Sequence, residues 1–236
     1  YLFLKAQGLA GKPVADIRID GAGKKVTRSD NCRVSDLSVS SDNLTFTYEA
    51  KSLPYPIDTS YYDNEKHTQA DALSVIPFMD EMNYEGLSVS GLSDGYYGLT
   101  IGGEFIGRFT ARELERGINM ALLQNTPQYK QAMKIRQMNE ERWLKERKMR
   151  EFYWVEYNLM RKTGMLWACD EAAVDTLRKY RPHDIFLQWN GDLWLQYMHK
   201  GIREDCVNEQ QNLVDRIYEQ NKPIPLRIEI KKFTDL

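Results

Sequence analysis

Cysteine and histidine are scarce in this sequence, which contains three of each among 236 residues. Cys32, Cys169 and Cys206 lie far apart and form no C-x-x-C pair. That spacing excludes the usual zinc motifs and gives no disulfide framework. We therefore interpret the cysteines as small core residues, and we expect neither a metal site nor a cofactor.

The sequence also has no strong net charge of either sign and no long apolar run. Its formal net charge is -2 at pH 7, whereas nucleic-acid binders usually present a strongly basic face. A membrane-spanning helix needs about 18 or more apolar residues in succession, and the apolar stretch FYWV is broken by Glu156. No nucleic-acid partner and no membrane span are expected.

Familiar catalytic constellations are missing as well. The zinc-protease spacing H-E-x-x-H does not occur. The histidines lie outside any recognisable nucleophile, metal or phosphate motif; they are His67, His183 and His199. Asp170, Glu171 and Asp175 fall near a predicted helix start, which favours a solvated acidic face. The sequence therefore assigns no catalytic residue.

The first half of the chain carries the signals of β-strands. Apolar and polar residues alternate in VADIRID and LTFTYEA and less regularly in NCRVSDLSV, which predicts three strands between residues 14 and 50. Strand signals resume in GLSVSGL, and YYGLTIGG with EFIGRFT predicts a hairpin around Gly102 and Gly103. A Pro- and Tyr-rich loop and an irregular helical piece interrupted by Pro77 lie between these groups.

The second half is dominated by helix signals. Thr110 and Glu113 have the spacing of a capping box, and Thr126-Pro127 predicts a helix that runs to about Lys162. We interpret the many basic residues from Lys130 to Arg150 as the solvent-exposed face of that helix.

Three further segments complete this half. Helices are predicted over 165–181 and 203–221, whereas DIFLQWNGDLWLQYMHK is open between hairpin and helix, and its Asn190-Gly191-Asp192 is interpreted as a turn. PIPLRIEIKKF alternates as a closing strand. The expected fold is α+β, with an antiparallel β-sheet or sandwich region, then a helical region, and a terminal strand that returns to the sheet.

The first residues are unusually apolar. The stretch YLFL is followed by Gly8, where a helix would end, and by Pro13, which blocks its continuation. Exposing such side chains to water would forfeit roughly 1.5–3 kcal/mol for each. We interpret this segment as the end of a helix that another part of a larger protein covers.

Several stretches together resemble the C-terminal region of bacterial SGNH/GDSL-type hydrolases. YLFLKAQGL followed by VADIRID is similar to the last helix of their catalytic core and its continuation. Residues 86–132 are similar to their C-terminal extension in the order of hairpin, capping-box helix and Thr-Pro helix start. NKPIPLRIEI is similar to their terminal strand.

The resemblance implies a division of the chain and a function. Residues 1–13 would be a remnant of the last helix of an upstream SGNH core, 14–110 a β-rich accessory region, and 111–236 a mainly helical region with the closing strand. The family's Gly-Asp-Ser block and Asp-x-x-His pair have no counterpart here, since Gly191-Asp192-Leu193 lacks the serine and Asp63 and His67 are four residues apart. No family catalytic residue is therefore carried over.

The implied function is that of a non-catalytic portion of an ester hydrolase. The upstream SGNH core of the same polypeptide would be its partner, an acyl or carbohydrate ester the substrate, and export the fate of the parent protein. The alternatives are a carbohydrate-binding module and an oligomerising segment built on helix 127–162. The candidate ligand contacts are aromatic: Tyr61, Tyr62, Tyr96, Tyr97, Trp143 and Trp154.

Overall fold

A computed structural model describes residues 1–59 and 67–233 of the chain. The chain forms two compact units: a β-rich unit, residues 1–135 and 220–236, and a helical unit, residues 136–219. The division predicted from the sequence, with regions 1–13, 14–110 and 111–236, stays a prediction. In the structure residues 111–135 lie in the β-rich unit, and the helix that directly follows the hairpin packs on one of its strands.

Among the described residues of the β-rich unit, nine strands form two sheets. Their bounds are β1 Ala15–Asp20, β2 Lys25–Asp30, β3 Cys32–Val39, β4 Asn43–Ala50, β5 Glu85–Ser90, β6 Tyr96–Ile101, β7 Glu104–Thr110, β8 Ile118–Asn119 and β9 Leu226–Lys232. One sheet has the order β2-β1-β5-β8 and the other β3-β4-β9-β6-β7. All neighbours pair antiparallel except β1 and β5, which are parallel.

The closing strand lies at the centre of the five-stranded sheet. β9 pairs with β4 on one side and with β6 on the other. Its Leu226, Ile228 and Ile230 are buried while the residues between them are not, as the alternation predicts. Side chains from both sheets form a single apolar core, and β1 and β5 of the four-stranded sheet contribute aliphatic side chains to it. The predicted α+β fold with a returning terminal strand is confirmed.

The strand prediction missed β2. Its sequence KVTRSD is almost entirely polar, and five of its six residues are exposed. β2 lies at the edge of its sheet, where only one neighbour supplies hydrogen bonds and no apolar alternation is needed. Periodicity cannot find such a strand, because it reports burial and not pairing.

The helices of the β-rich unit are short. They are α1 Leu2–Ala6, α2 Phe78–Glu81 and α3 Ala111–Arg116. α3 begins at the predicted capping box, in which the Thr110 hydroxyl accepts from the Glu113 N–H and the Glu113 carboxylate accepts from the Thr110 N–H. The predicted hairpin turn is also present: Gly102 and Gly103 have φ of 59° and 84°, which glycine adopts without strain.

Four longer helices follow in the part of the chain that the structure describes. They are α4 Pro127–Val155, α5 Glu171–Tyr180, α6 Ile185–Tyr197 and α7 Lys200–Gln220. α4 begins at the predicted Thr-Pro signal, and a π-helix, Glu156–Met160, prolongs it toward Gly164. Residues 165–170 are not helical, so the prediction of a helix over 165–181 is correct only from Glu171 onward. Asp170 caps α5 by accepting from the Ala173 N–H.

The interpretation of Asn190-Gly191-Asp192 as a turn is wrong. These residues lie inside α6. Gly191 is buried, and a Cβ atom there would lie 3.2 Å from Nε of Arg181. The guanidinium of Arg181 in turn forms two hydrogen bonds with the Asp192 carboxylate, at 2.6 and 2.7 Å. Gly191 is therefore present because an arginine packs on the helix, and not because the chain turns.

Candidate functional site

The helical unit contains a recess beside the start of α7. Its volume is about 620 Å³, within the range of small-molecule sites. Aromatic and apolar side chains form one part of it and charged residues of α7 the other; the lining residues are Met149, Tyr153, Trp167, Lys200, Gly201, Arg203, Glu204, Asp205, Val207 and Asn208. We call this cavity the Trp167 recess.

The backbone at Trp167 is strained. Its φ of 64° places it in the left-handed region, where a bulky residue is rarely found. The Trp167 N–H donates to Oε2 of Glu156 at 3.0 Å, and the indole N–H of Trp194 donates to Oε1 at 2.8 Å. Glu156 is fully buried in the π-helix. Strained residues and π-helical turns occur frequently at functional sites, and here one carboxylate joins both.

Three aromatic rings lie around Trp167. Tyr153 and Tyr157 lie 6.1 and 6.0 Å from it between ring centroids, and each is nearly perpendicular to the indole. Phe152 lies 6.4 Å away. The guanidinium of Arg203 lies 4.8 Å from the Phe152 centroid and 5.9 Å from that of Trp167, and it donates to the carbonyl oxygens of Tyr197 and Met198. Arg203 thus fixes the aromatic cluster to the end of α6.

The charged side of the recess carries two cationic and two acidic side chains. Lys200 forms an ion pair with Glu204, with 3.3 Å between Nζ and Oε1. Arg203 is occupied by two backbone carbonyls. Asp205 is exposed, and among the described residues its carboxylate has no hydrogen-bond or ion-pair partner. The recess therefore offers exposed aromatic surface beside two positive and two negative side chains, whose formal charges cancel.

A second cavity lies in the β-rich unit, next to the chain's first residues. It has a volume of about 320 Å³ and a mostly apolar lining that includes Leu4, Leu9, Leu53 and Phe78. Beside it, the exposed fractions of Leu2 and Phe3 are 77% and 74%. Hydrogen bonds from Tyr1 and Lys5 to Glu81 hold α1 in place. We call this cavity, together with the exposed side chains of α1, the N-terminal apolar surface.

The predicted ligand contacts do not come together in one place. Tyr61 and Tyr62 lie outside the described residues. Tyr97 is buried in the core and donates to the Ser93 carbonyl, whereas Tyr96 is half exposed and stacks against the Arg108 guanidinium at 3.9 Å.

The two tryptophans among these candidates lie in the helical unit but do not line the Trp167 recess. Trp143 is exposed, and the Arg150 guanidinium lies over its ring. Trp154 packs on Phe186. Sequence reasoning missed Trp167, because a strained φ leaves no trace in residue type. Its position three residues after Gly164, where the helical pattern stops, was the only signal available.

Sequence reasoning also overlooked a serine motif. Gly91-Leu92-Ser93-Asp94-Gly95 has the spacing G-x-S-x-G, which in α/β-hydrolases marks a turn from a strand into a helix. Here it connects β5 with β6, two strands. The Ser93 hydroxyl lies 2.8 Å from Nζ of Lys232 and 3.1 Å from the hydroxyl of Tyr97. The motif is therefore part of a strand connection.

The remaining reactive residue types are dispersed. Cys32 and Cys206 are buried, as interpreted, but Cys169, in the non-helical segment before α5, is exposed. Among the described residues, no three His, Cys, Asp or Glu side chains lie close enough together to hold a metal ion. Within the same residues, no helix is both long and apolar enough to cross a membrane.

One carboxyl group in the β-rich core has an altered acidity. Glu85 is fully buried at the start of β5, and burial raises its pKa to about 7. Its Oε1 accepts from the hydroxyl of Tyr48 at 2.8 Å and from the amide of Gln128 at 3.2 Å. Its Oε2 has no hydrogen-bond partner. The group lies within the shared core of the two sheets and opens onto neither cavity.

Comparison with known proteins connects the chain to a hydrolase. Residues 133–222 match the family described as the diltiazem deacetylase C-terminal helical domain. The helical unit resembles that domain. A solved structure of a gut microbial diltiazem-metabolizing enzyme is 38% identical over 99% of this chain, with a TM-score of 0.91. The match covers 53% of the other chain, so the present chain spans about half its length. No curated protein matches the chain.

The comparison confirms the prediction of a hydrolase-related C-terminal region. Neither match is described as an SGNH hydrolase, so the SGNH type stays a prediction.

Proposed function

We propose that this chain is the non-catalytic, C-terminal portion of a longer ester hydrolase. The supporting observation is the likeness to the diltiazem-metabolizing enzyme over nearly the whole of this chain but only 53% of that enzyme. The family name of the helical unit, a deacetylase C-terminal domain, suggests hydrolysis of an acetyl ester. The catalytic groups would then be located in the other half.

The reaction proposed for the parent protein follows the SGNH pattern. A serine attacks the acyl carbonyl, a histidine accepts its proton, an aspartate orients the histidine, and hydrogen-bond donors stabilise the oxyanion. In this proposal, no residue of the present chain takes any of these roles. The Ser93 hydroxyl is hydrogen-bonded to a lysine and a tyrosine and not to a histidine.

The proposal gives the N-terminal apolar surface a role. Leu2 and Phe3 are largely exposed and lie next to an apolar cavity. Covering each side chain would contribute roughly 1.5–3 kcal/mol. We propose the catalytic portion of the same polypeptide as the occupant, because the similar enzyme has a further half of comparable length. Residues 1–13 would then be the connection between the two portions.

An ester-hydrolysis assay tests the assignment. The purified 236-residue chain and the longer polypeptide are each given an acetyl ester such as p-nitrophenyl acetate. The proposal expects turnover by the longer polypeptide only. Turnover by the isolated chain that disappears in Ser93→Ala would overturn it, since the nucleophile would then lie in this chain.

A further inference from the structure

We propose that Glu85 is held as the neutral acid in the folded protein and forms an acid–amide pair with Gln128, which connects β5 to the start of α4. In this pair Nε2 of Gln128 donates to Oε1 of Glu85, and a proton on Oε2 of Glu85 donates to Oε1 of Gln128. Ionisation of Glu85 breaks the second bond and makes the connection sensitive to pH. The inference does not depend on the ester-hydrolase assignment, because both groups lie in the present chain.

The hydrogen bonds around Glu85 leave two acceptors without a donor. Oε1 of Glu85 accepts from the Tyr48 hydroxyl at 2.8 Å and from Nε2 of Gln128 at 3.2 Å. Oε2 of Glu85 and Oε1 of Gln128 are both buried and have no hydrogen-bond partner. Buried polar atoms are nearly always paired, and an unpaired one is destabilising. A single proton on Oε2 supplies the donor that both atoms need.

The two side chains have the shape that this pairing requires. A carboxylic acid and a primary amide are planar, and each presents a donor beside an acceptor. The hydrogen bond between Nε2 and Oε1 already holds the two groups together. The last side-chain torsion of Glu and Gln is soft, so the second pair of atoms can approach at little cost. A carboxylate cannot form the pair, because it offers acceptors only.

Burial also favours the neutral acid. Glu85 is fully buried, and this burial raises its pKa to about 7. An ionised carboxylate in an apolar core is costly unless a cation pairs with it. Among the described residues, none of the groups that act on the acidity of Glu85 is a cation. Protonation therefore removes an uncompensated charge and two unpaired acceptors together.

The elements packed around Glu85 present neutral groups to it. The adjoining residues are Ala15 of β1, Tyr48 of β4, Asn119 of β8 and Gln128 of α4. The short helical segments packed on β5 bury apolar residues, namely Ala111, Leu114, Met120 and Ala121. Burial raises the pKa of Tyr48 and that of the nearby Cys32 thiol, which keeps both neutral. Asp16 of β1 is directed to the opposite face of the sheet, where Arg18 and Arg28 pair with it.

Ionisation should loosen the start of α4. Gln128 is the second residue of this helix, and the acid–amide pair holds it to β5. Without the proton, Oε1 of Gln128 loses its donor and the charge on Glu85 draws water toward the core. Local opening is easiest where contacts have been lost. The first turn of α4 should therefore open more often as pH rises through about 7.

Infrared spectroscopy of the 236-residue chain tests the protonation state, since a carboxylic acid and a carboxylate absorb separately. At about pH 6 the wild type should show a buried carboxylic-acid band that Glu85→Gln lacks. The band should disappear as pH rises through about 7. Gln128→Leu should move it to higher frequency, because the acid loses its amide partner. Glu171→Gln removes an exposed carboxylate and should leave the band unchanged.

Amide hydrogen exchange tests the consequence for α4. Protection of residues 130–133, corrected for the intrinsic pH dependence of exchange, should fall at least about fivefold between about pH 6 and about pH 8 in the wild type. It should stay constant in Glu85→Gln, whose amide donates to Gln128 at every pH. Carbon-13 NMR of the wild-type glutamate carboxyl groups provides a further test if that variant unfolds, because one signal should titrate near pH 7.

Three results would overturn the inference. They are the lack of any protonated glutamate in the wild type at about pH 6, a carboxylic-acid band that Gln128→Leu does not move, and equal pH dependence of α4 protection in the wild type and folded Glu85→Gln.

Discussion

At the scale of single residues, two buried carboxyl groups behave in opposite ways. Glu156 has both oxygens occupied by N–H donors, one from a backbone and one from an indole. Glu85 has one oxygen that accepts two hydrogen bonds and one that accepts none. The first residue organises the Trp167 recess, and the second is a group of altered acidity in the core between the sheets.

Replacing Glu156 by Gln should destabilise the helical unit. The amide nitrogen of Gln cannot accept, so either the Trp167 N–H or the Trp194 indole N–H would be left buried and opposed to another donor. We expect a loss of about 1–3 kcal/mol in the free energy of unfolding, measured in urea. The control Glu171→Gln removes an exposed carboxylate that pairs with Arg178 and should change stability by less than about 0.5 kcal/mol. Equal effects would contradict the assigned role.

Glu85 should make stability depend on pH near neutrality. Its folded pKa of about 7 lies above its ordinary value of 4.5, so the native state binds more protons than the unfolded state between these values. Stability should therefore fall as pH rises from about 4.5 to about 7, by roughly 3 kcal/mol in total. Glu85→Gln removes this contribution. The difference in unfolding free energy between wild type and variant should shift by that amount across the window, and a constant difference would contradict the prediction.

At the scale of elements, local signals in the sequence predicted the element starts well. The Thr110 box, the Thr126-Pro127 start and the Gly102-Gly103 turn depend on neighbouring residues only. Features that depend on contacts with residues distant in the sequence were missed or wrongly predicted. β2 is an exposed edge, and Gly191 makes room for an arginine. Trp167 belongs to this second class, since a buried glutamate eleven residues earlier holds its backbone.

The capping box should contribute measurably to the β-rich unit. Thr110→Ala removes the acceptor for the Glu113 N–H and should cost about 1 kcal/mol of unfolding free energy, measured by thermal denaturation. Thr176→Ala is the matched control, because that hydroxyl only donates to the Ala172 carbonyl inside α5. It should be neutral or slightly stabilising, since Ala is the better helix former. A control as harmful as the Thr110 variant would count against the cap.

At the scale of the whole molecule, the two units differ in what they offer. The β-rich unit has a large apolar core, yet it leaves an apolar helix and an apolar cavity at its surface. The helical unit has a recess with mixed chemistry. We propose that the first surface serves attachment to a catalytic portion. The sequence indicated the first through its apolar opening residues, whereas the second needed the structure.

The attachment proposal is tested most directly by amide hydrogen exchange of residues 2–9, compared between the isolated chain and the longer polypeptide. In the isolated chain α1 is a single short helix with exposed apolar side chains, and its amides should exchange rapidly. Contact with the catalytic portion should slow their exchange at least about tenfold in the longer polypeptide. Equal exchange rates in both would contradict the account.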